Sequence, residues 1–151
     1  MRTLHLGSAV VVAAGVVAAG ISSGTAWAGG PEGGAPNDLF EAVGSGTFDD
    51  TRDGPGGAST EVGFRATGAT AGQASAAVVA ACQAAGGVDC TSDEVTNDNL
   101  CIVSVFDPGT NVDAGGAGPT VEAARQDAIQ RAAANNTPMS PAAAVLISAC
   151  P

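Results

Sequence analysis

Cys82, Cys90, Cys101 and Cys150 are the residues with the most definite chemistry in this 151-residue chain. An even cysteine count in a short exported chain reads as two disulfides. Three pairings are possible and spacing alone does not choose among them. The favoured one joins Cys82 to Cys90, closing the turn at Gly86-Gly87, and Cys101 to Cys150, tying the tail to a central strand. Each bridge is worth about 2–4 kcal/mol. A zinc-type site does not fit, because the cysteine spacing is wrong and no histidine accompanies it.

The carboxylates offer two further candidates. Asp49, Thr51, Asp53 and Gly54 imitate the opening of a calcium loop, in which alternate oxygens surround the ion and a glycine permits the bend. The imitation fails at the twelfth position, where Thr60 stands in place of a bidentate glutamate, and a plain turn is the favoured reading. Asp93, Glu94 and Asp98, with Asn97, form a second acidic segment between Cys90 and Cys101. Two such carboxylates sharing a proton can work as acid and base, but they need apolar framing. The polar run Thr91-Ser92-Asp93-Glu94 reads instead as a solvated loop. Ser45, in Gly44-Ser45-Gly46, lacks a nucleophile-elbow pattern and reads as a turn or strand end.

What is missing narrows the chemistry further. The chain has no Lys or Tyr, and its only His and Trp, His5 and Trp27, lie near the start. Met1-Arg2, the apolar run Leu4 to Ile21 and the small-residue end Ala26-Trp27-Ala28 have the three parts of a secretory signal peptide. No cysteine follows closely, so no lipid anchor is expected. Removal of residues 1–28 leaves 123 residues, with four arginines against fifteen acidic residues and a formal charge of −11. That remainder has no imidazole or amine to activate a hydroxyl or thiol nucleophile. Its charge disfavours nucleic acid and anionic membrane surfaces. Phe40, Phe48, Phe64 and Phe106 are too few for a stacking platform.

Spacing predicts the elements that must hold these groups. Residues 29–37 are a flexible Gly/Pro leader, and 38–151 is long enough for one domain. Leu39 to Thr47 and Thr60 to Thr67 read as strands, separated by a turn-rich loop. From Thr70, Ala71, Ala74, Val78, Cys82 and Ala85 form one apolar helical stripe, with Thr70 and Gln73 as a capping box and Gly86-Gly87 as the exit. Cys82 therefore faces the sheet. Leu100 to Phe106 is a strand bounded by turn residues. Thr120-Val121-Glu122-Ala123-Ala124 then restates Thr70-Ala71-Gly72-Gln73-Ala74 fifty residues on, and Asn99-Leu100 restates Asp38-Leu39, so strand, loop, strand and helix are used twice. Glu122 with Arg125 and Asp127 with Arg131 have ion-pair spacing on the second helix. Pro141 marks the near limit of a last strand within Ala142 to Ala149.

Phe64-Arg65 leading through Thr70 into an Ala-rich helix that ends Ala-Cys, followed by Asp-Cys, a cysteine-bearing strand and a second Ala-rich helix, resembles the secreted bacterial domain of unknown function 4189. The resemblance covers roughly Leu39 to Ala134. It implies a small exported actinobacterial or related domain and brings no catalytic residues with it. The residues themselves predict an α+β fold, two Ala-rich helices on a mainly antiparallel sheet with two disulfides. The expected function is non-enzymatic: a protein-interaction or binding module for an extracellular or cell-envelope partner, without a cofactor. The alternative is a secreted protease inhibitor using the 90–101 loop, since a constrained loop loses little entropy on docking.

Overall fold

The computed structural model describes residues 39–50 and 57–151, together with the backbone of Val17–Ala18. Two strands, a helix and a third strand make each half: β1 (Phe40–Asp49), β2 (Ser59–Gly68), α1 (Ala71–Ala84) and β3 (Glu94–Thr96), then β4 (Cys101–Asp107), β5 (Val112–Gly118), α2 (Val121–Ala134) and β6 (Ala144–Ala149). Both halves are antiparallel sheets with the first of their three strands in the middle, ordered β2-β1-β3 and β5-β4-β6, and the two residues Val17–Ala18 add a short fourth strand on the outer side of β2. The α+β class and the doubled unit are as the sequence predicts. The helices do not share one continuous sheet, however; each covers a sheet of its own.

The repetition extends to the caps. Thr70 and Thr120 have nearly the same extended backbone, and their hydroxyls accept the amides of Gln73 and Ala123. Both helices end in a Schellman turn. Gly87 and Thr137 donate to the carbonyls of Cys82 and Ala132, and Gly86 and Asn136 take the positive φ that this exit needs. Gly68 and Gly118, also fifty residues apart, lie where strand and helix approach most closely: a Cβ there would come within 2.4 Å of the Ala74 nitrogen and 2.8 Å of the Ala124 nitrogen.

Alternation along the strands gives each sheet an outward and an inward face. Outward, Ala42, Phe64 and Ala66 pack on Ala74, Val78, Ala81 and Cys82 of α1. Cys101, Val103 and Val105 pack on Ala124, Ala128 and Ala132 of α2. Inward, Val43 meets Ile102 and Ala149 between the sheets. The order across the molecule is therefore α1, first sheet, second sheet, α2. A core this poor in large side chains relies on the close approach that Ala and Gly allow.

The disulfides are Cys82–Cys90 and Cys101–Cys150, and Cys82 is fully buried against the first sheet. They suit an oxidising, extracellular compartment. Among the described residues no helix is long and apolar enough to cross a membrane.

The halves differ in how each holds the loop after its helix. In the first, the Cys82–Cys90 bridge and a backbone pairing of Thr47 with Val88 fasten it. In the second, side chains do the work. Asp107 accepts the amides of Ser140 and Gly109 and the Thr110 hydroxyl, and Arg125 donates to the carbonyls of Ala143 and Pro141. Arg125 also bonds Glu122, and Arg131 bonds Asp127 and Glu94. The two basic residues of α2 thus hold tertiary structure as well as forming the surface pairs their spacing predicts.

Candidate functional site

Polar groups of the inward faces gather at one side of the space between the sheets. Alternation in β1 puts Glu41, Val43, Ser45 and Thr47 on this face. Register with β2 sets Thr47 beside Glu61. Ser45 donates to an Asp113 carboxylate oxygen at 2.9 Å and lies 3.2 Å from the Thr91 hydroxyl, which itself donates to Asp113 at 3.3 Å. Thr47 donates to Glu61 at 3.0 Å, and Ser104 donates to Asp93. Three carboxylates from β2, β5 and the segment before β3 therefore converge on four hydroxyls.

Burial pushes the pKa of Asp93 up, against the pull of hydrogen bonds from Ser104 and Thr91, and the nearby Asp113 charge adds to the rise. Glu61 is also raised, by burial first and by the charges of Asp113 and Asp93 after it, while Thr47 opposes. Carboxylates so placed keep protons to higher pH than free ones and can donate them. Their hydroxyl neighbours act as donors that fix the carboxylate oxygens. Among the described residues, no three of His, Cys, Asp and Glu are arranged to hold a metal ion.

Asp93 also lines an open groove of about 410 Å³ with Ser92, Glu94 and Val95, between Ser75 of α1 and Arg131 of α2. The groove runs along β3, an edge of the first sheet. Glu94 is held there by Arg131.

Two readings of the sequence are corrected by this geometry. The segment from Thr91 to Glu94 is no solvated loop: Thr91 and Asp93 give their amides to the carbonyls of Ser45 and Val43, extending the pairing of β3 with β1. Asp93 finds its partner on a strand of the other sheet, and that register is invisible in local composition. Ser45 is no turn or strand end but the fully buried middle of β1. Its flanking glycines make room for neighbours, since a Cβ at Gly46 would overlap the Cys82 sulfur and one at Gly44 the Thr91 carbonyl.

The remaining predicted residues are dispersed. Asp98 is exposed beyond β3, its amide turned to the Thr96 hydroxyl, so Asp93, Glu94 and Asp98 share no single site. Asp49 ends β1, and Asp53, the other half of the calcium suggestion, lies outside the described residues. Sequence reasoning passed over Glu61, Asp113, Asp107 and Glu41. The last is 1 % exposed, has no hydrogen-bond partner for either carboxylate oxygen among the described residues, and has Arg65 at 3.7 Å. The polar member of each alternating pair in β1, β2 and β5 was the available signal.

No family model, curated protein or solved structure matches the chain.

Proposed function

We propose that this chain is a small secreted, non-enzymatic interaction domain that holds a basic protein partner in the open groove beside β3. The groove is the observation that supports this reading. It is open, bordered by both helices and floored by an edge strand; Arg131 neutralises Glu94 within it, so the attraction for a cationic partner comes from the whole chain, whose charge without residues 1–28 is −11. A field of that sign steers cationic surfaces toward the site and repels anionic ones. Two disulfides and paired sheets pre-organise the surface, so docking orders little.

The alternative, a protease inhibitor acting through residues 90–101, has less support. A reactive loop must project, whereas this segment is paired along β1. The experiment is capture from native envelope and culture fluid by the oxidised chain lacking residues 1–28, beside its Ser75→Arg/Ser92→Arg variant. A basic protein retained by the first and lost by the second, and released by salt, supports the groove. Equal retention by both overturns it.

A further inference from the structure

We propose that the outer edge of β2 is a strand-accepting site for an extended, uncharged apolar segment of a partner polypeptide. Such a site stands apart from the groove, at the opposite edge of the same sheet.

The first observation is an occupant. Val17–Ala18 lies antiparallel on this edge, Val17 opposite Arg65 and Ala18 opposite Phe64. It comes from residues 10–21, which are Val, Ala, Gly and Ile only. With residues 1–28 removed, as the sequence predicts, this ten-residue edge strand loses that occupant, and a long edge strand is a template for another strand.

The second observation comes from the other half of the molecule. There the equivalent edge, on β5, is closed: the Ala117 amide, turned away from β4, donates to the Asp127 carboxylate of α2 at 2.9 Å. Fifty residues earlier, Thr67 stands where Ala117 does and Ala77 where Asp127 does. Alanine has no atom that can accept the Thr67 amide. One half of a doubled fold thus blocks its outer edge with a carboxylate, and the other puts a methyl group there.

The surroundings set the chemistry of the segment. Ala77 packs with the core beneath α1, and Gly63 lies against Ile147 of β6, close enough that a Cβ would overlap it. Arg65, on this strand, is turned to Glu41. Walls of this kind suit small and β-branched apolar side chains. The pairing itself is carried by backbone hydrogen bonds.

The test uses the oxidised chain from residue 29 to 151, which keeps both sheets, both helices and both disulfides. The probe is a labelled peptide of residues 10–21 with a solubilising lysine tail. Saturable one-to-one binding, with slowed hydrogen exchange at the Thr67 amide, is expected. Val17→Pro in the peptide should abolish it, and Ala77→Asp in the protein should weaken it about tenfold, the worth of one or two backbone hydrogen bonds. No saturable binding, protection elsewhere, or unchanged affinity with Ala77→Asp overturns the proposal. Asp127→Ala decides independently if Ala77→Asp does not fold: it opens the β5 edge, so a stoichiometry rising to two supports the proposal and one remaining at one overturns it.

Discussion

Glu41 and Ile102 occupy the same place in the two halves. Glu41 lies between Thr67 and Thr96, Ile102 lies between Ala117 and Ala149, and both are buried where the sheets meet. A carboxylate therefore stands where the second half uses a branched hydrocarbon. Burial pushes the Glu41 pKa from 4.5 up to about 7, with the Arg65 guanidinium pulling the other way. Between those values the folded chain holds a proton that the unfolded chain has released. Stability is then fully present below the unfolded value, falls as pH rises through about 7, and levels off above it. The loss is at most about 3 kcal/mol, or about 10 °C in Tm for a domain of this size. Calorimetry at pH 5 and pH 8 should show the wild type melting lower at pH 8. Glu41→Gln, neutral throughout, should flatten most of that difference. Equal slopes in the two proteins would rule out Glu41 as the cause.

Gly68 and Gly118 provide a matched pair of probes. An alanine methyl at Gly68 would lie 2.4 Å from the Ala74 nitrogen, and one at Gly118 would lie 2.8 Å from the Ala124 nitrogen. Both neighbours are helix backbone, which cannot rotate aside, so each helix must lift from its strand. Gly68→Ala and Gly118→Ala should each destabilise by about 1–3 kcal/mol, as overpacking does, with Gly68→Ala the worse. Urea unfolding measures both. A neutral result at either position would show that helix and strand are less tightly apposed.

The disulfides close loops of very different size, spanning 8 and 49 residues of sequence separation. If both act chiefly on the unfolded chain, removing Cys101–Cys150 as a double alanine variant should destabilise more than removing Cys82–Cys90, by about 1.5 kcal/mol. The burial of Cys82 works against that ordering, since alanine there leaves a space beside Gly46 and Gly87. Denaturant midpoints of the two variants decide. The reverse ordering would mean that packing around the short bridge outweighs chain entropy.

The contrast between what sequence revealed and what it hid follows the range of the interactions. Helix caps, apolar stripes and exits are local, so Thr70, the Ala-Val-Cys stripe and Gly86 placed α1, and the fifty-residue echo placed α2. The sheets were legible as strands but not as two stacked layers. Val43, Ser45 and Ile102 look alike whether their face meets a helix or another sheet. The same limit concealed the carboxylates at the cleft. Asp93 and Ser104 are joined only once two sheets stack, and Asp113 reaches Ser45 across 68 positions of sequence. Gly44 and Gly46 misled for a related reason: glycine next to serine suggests a turn, while here the missing side chains accommodate a disulfide and a neighbouring strand.

Asp107 shows how a single carboxylate replaces a bridge. It stands at the end of β4, is 1 % exposed, and accepts bonds from Ser140, Gly109 and Thr110. It thus fixes both the β4–β5 turn and the loop that delivers β6. Hydrogen bonds from the Ser140 amide, and after it from the Gly109 amide, hold its pKa below the ordinary value of 3.8. A depressed carboxylate contributes stability that is present above its unfolded value and lost as pH falls through its folded one. The acid limb of the stability curve should therefore depend on Asp107, opposite in sign to the Glu41 limb. Asp107→Asn keeps the shape but loses the charge that strengthens three donors, so its Tm should be lower than wild type at pH 5 and converge toward it near pH 2. Hydrogen exchange should quicken first at Ser140 and through β6, while α1 and the first sheet stay protected. Uniform loss of protection in both halves would show that Asp107 supports the whole fold and not this loop alone.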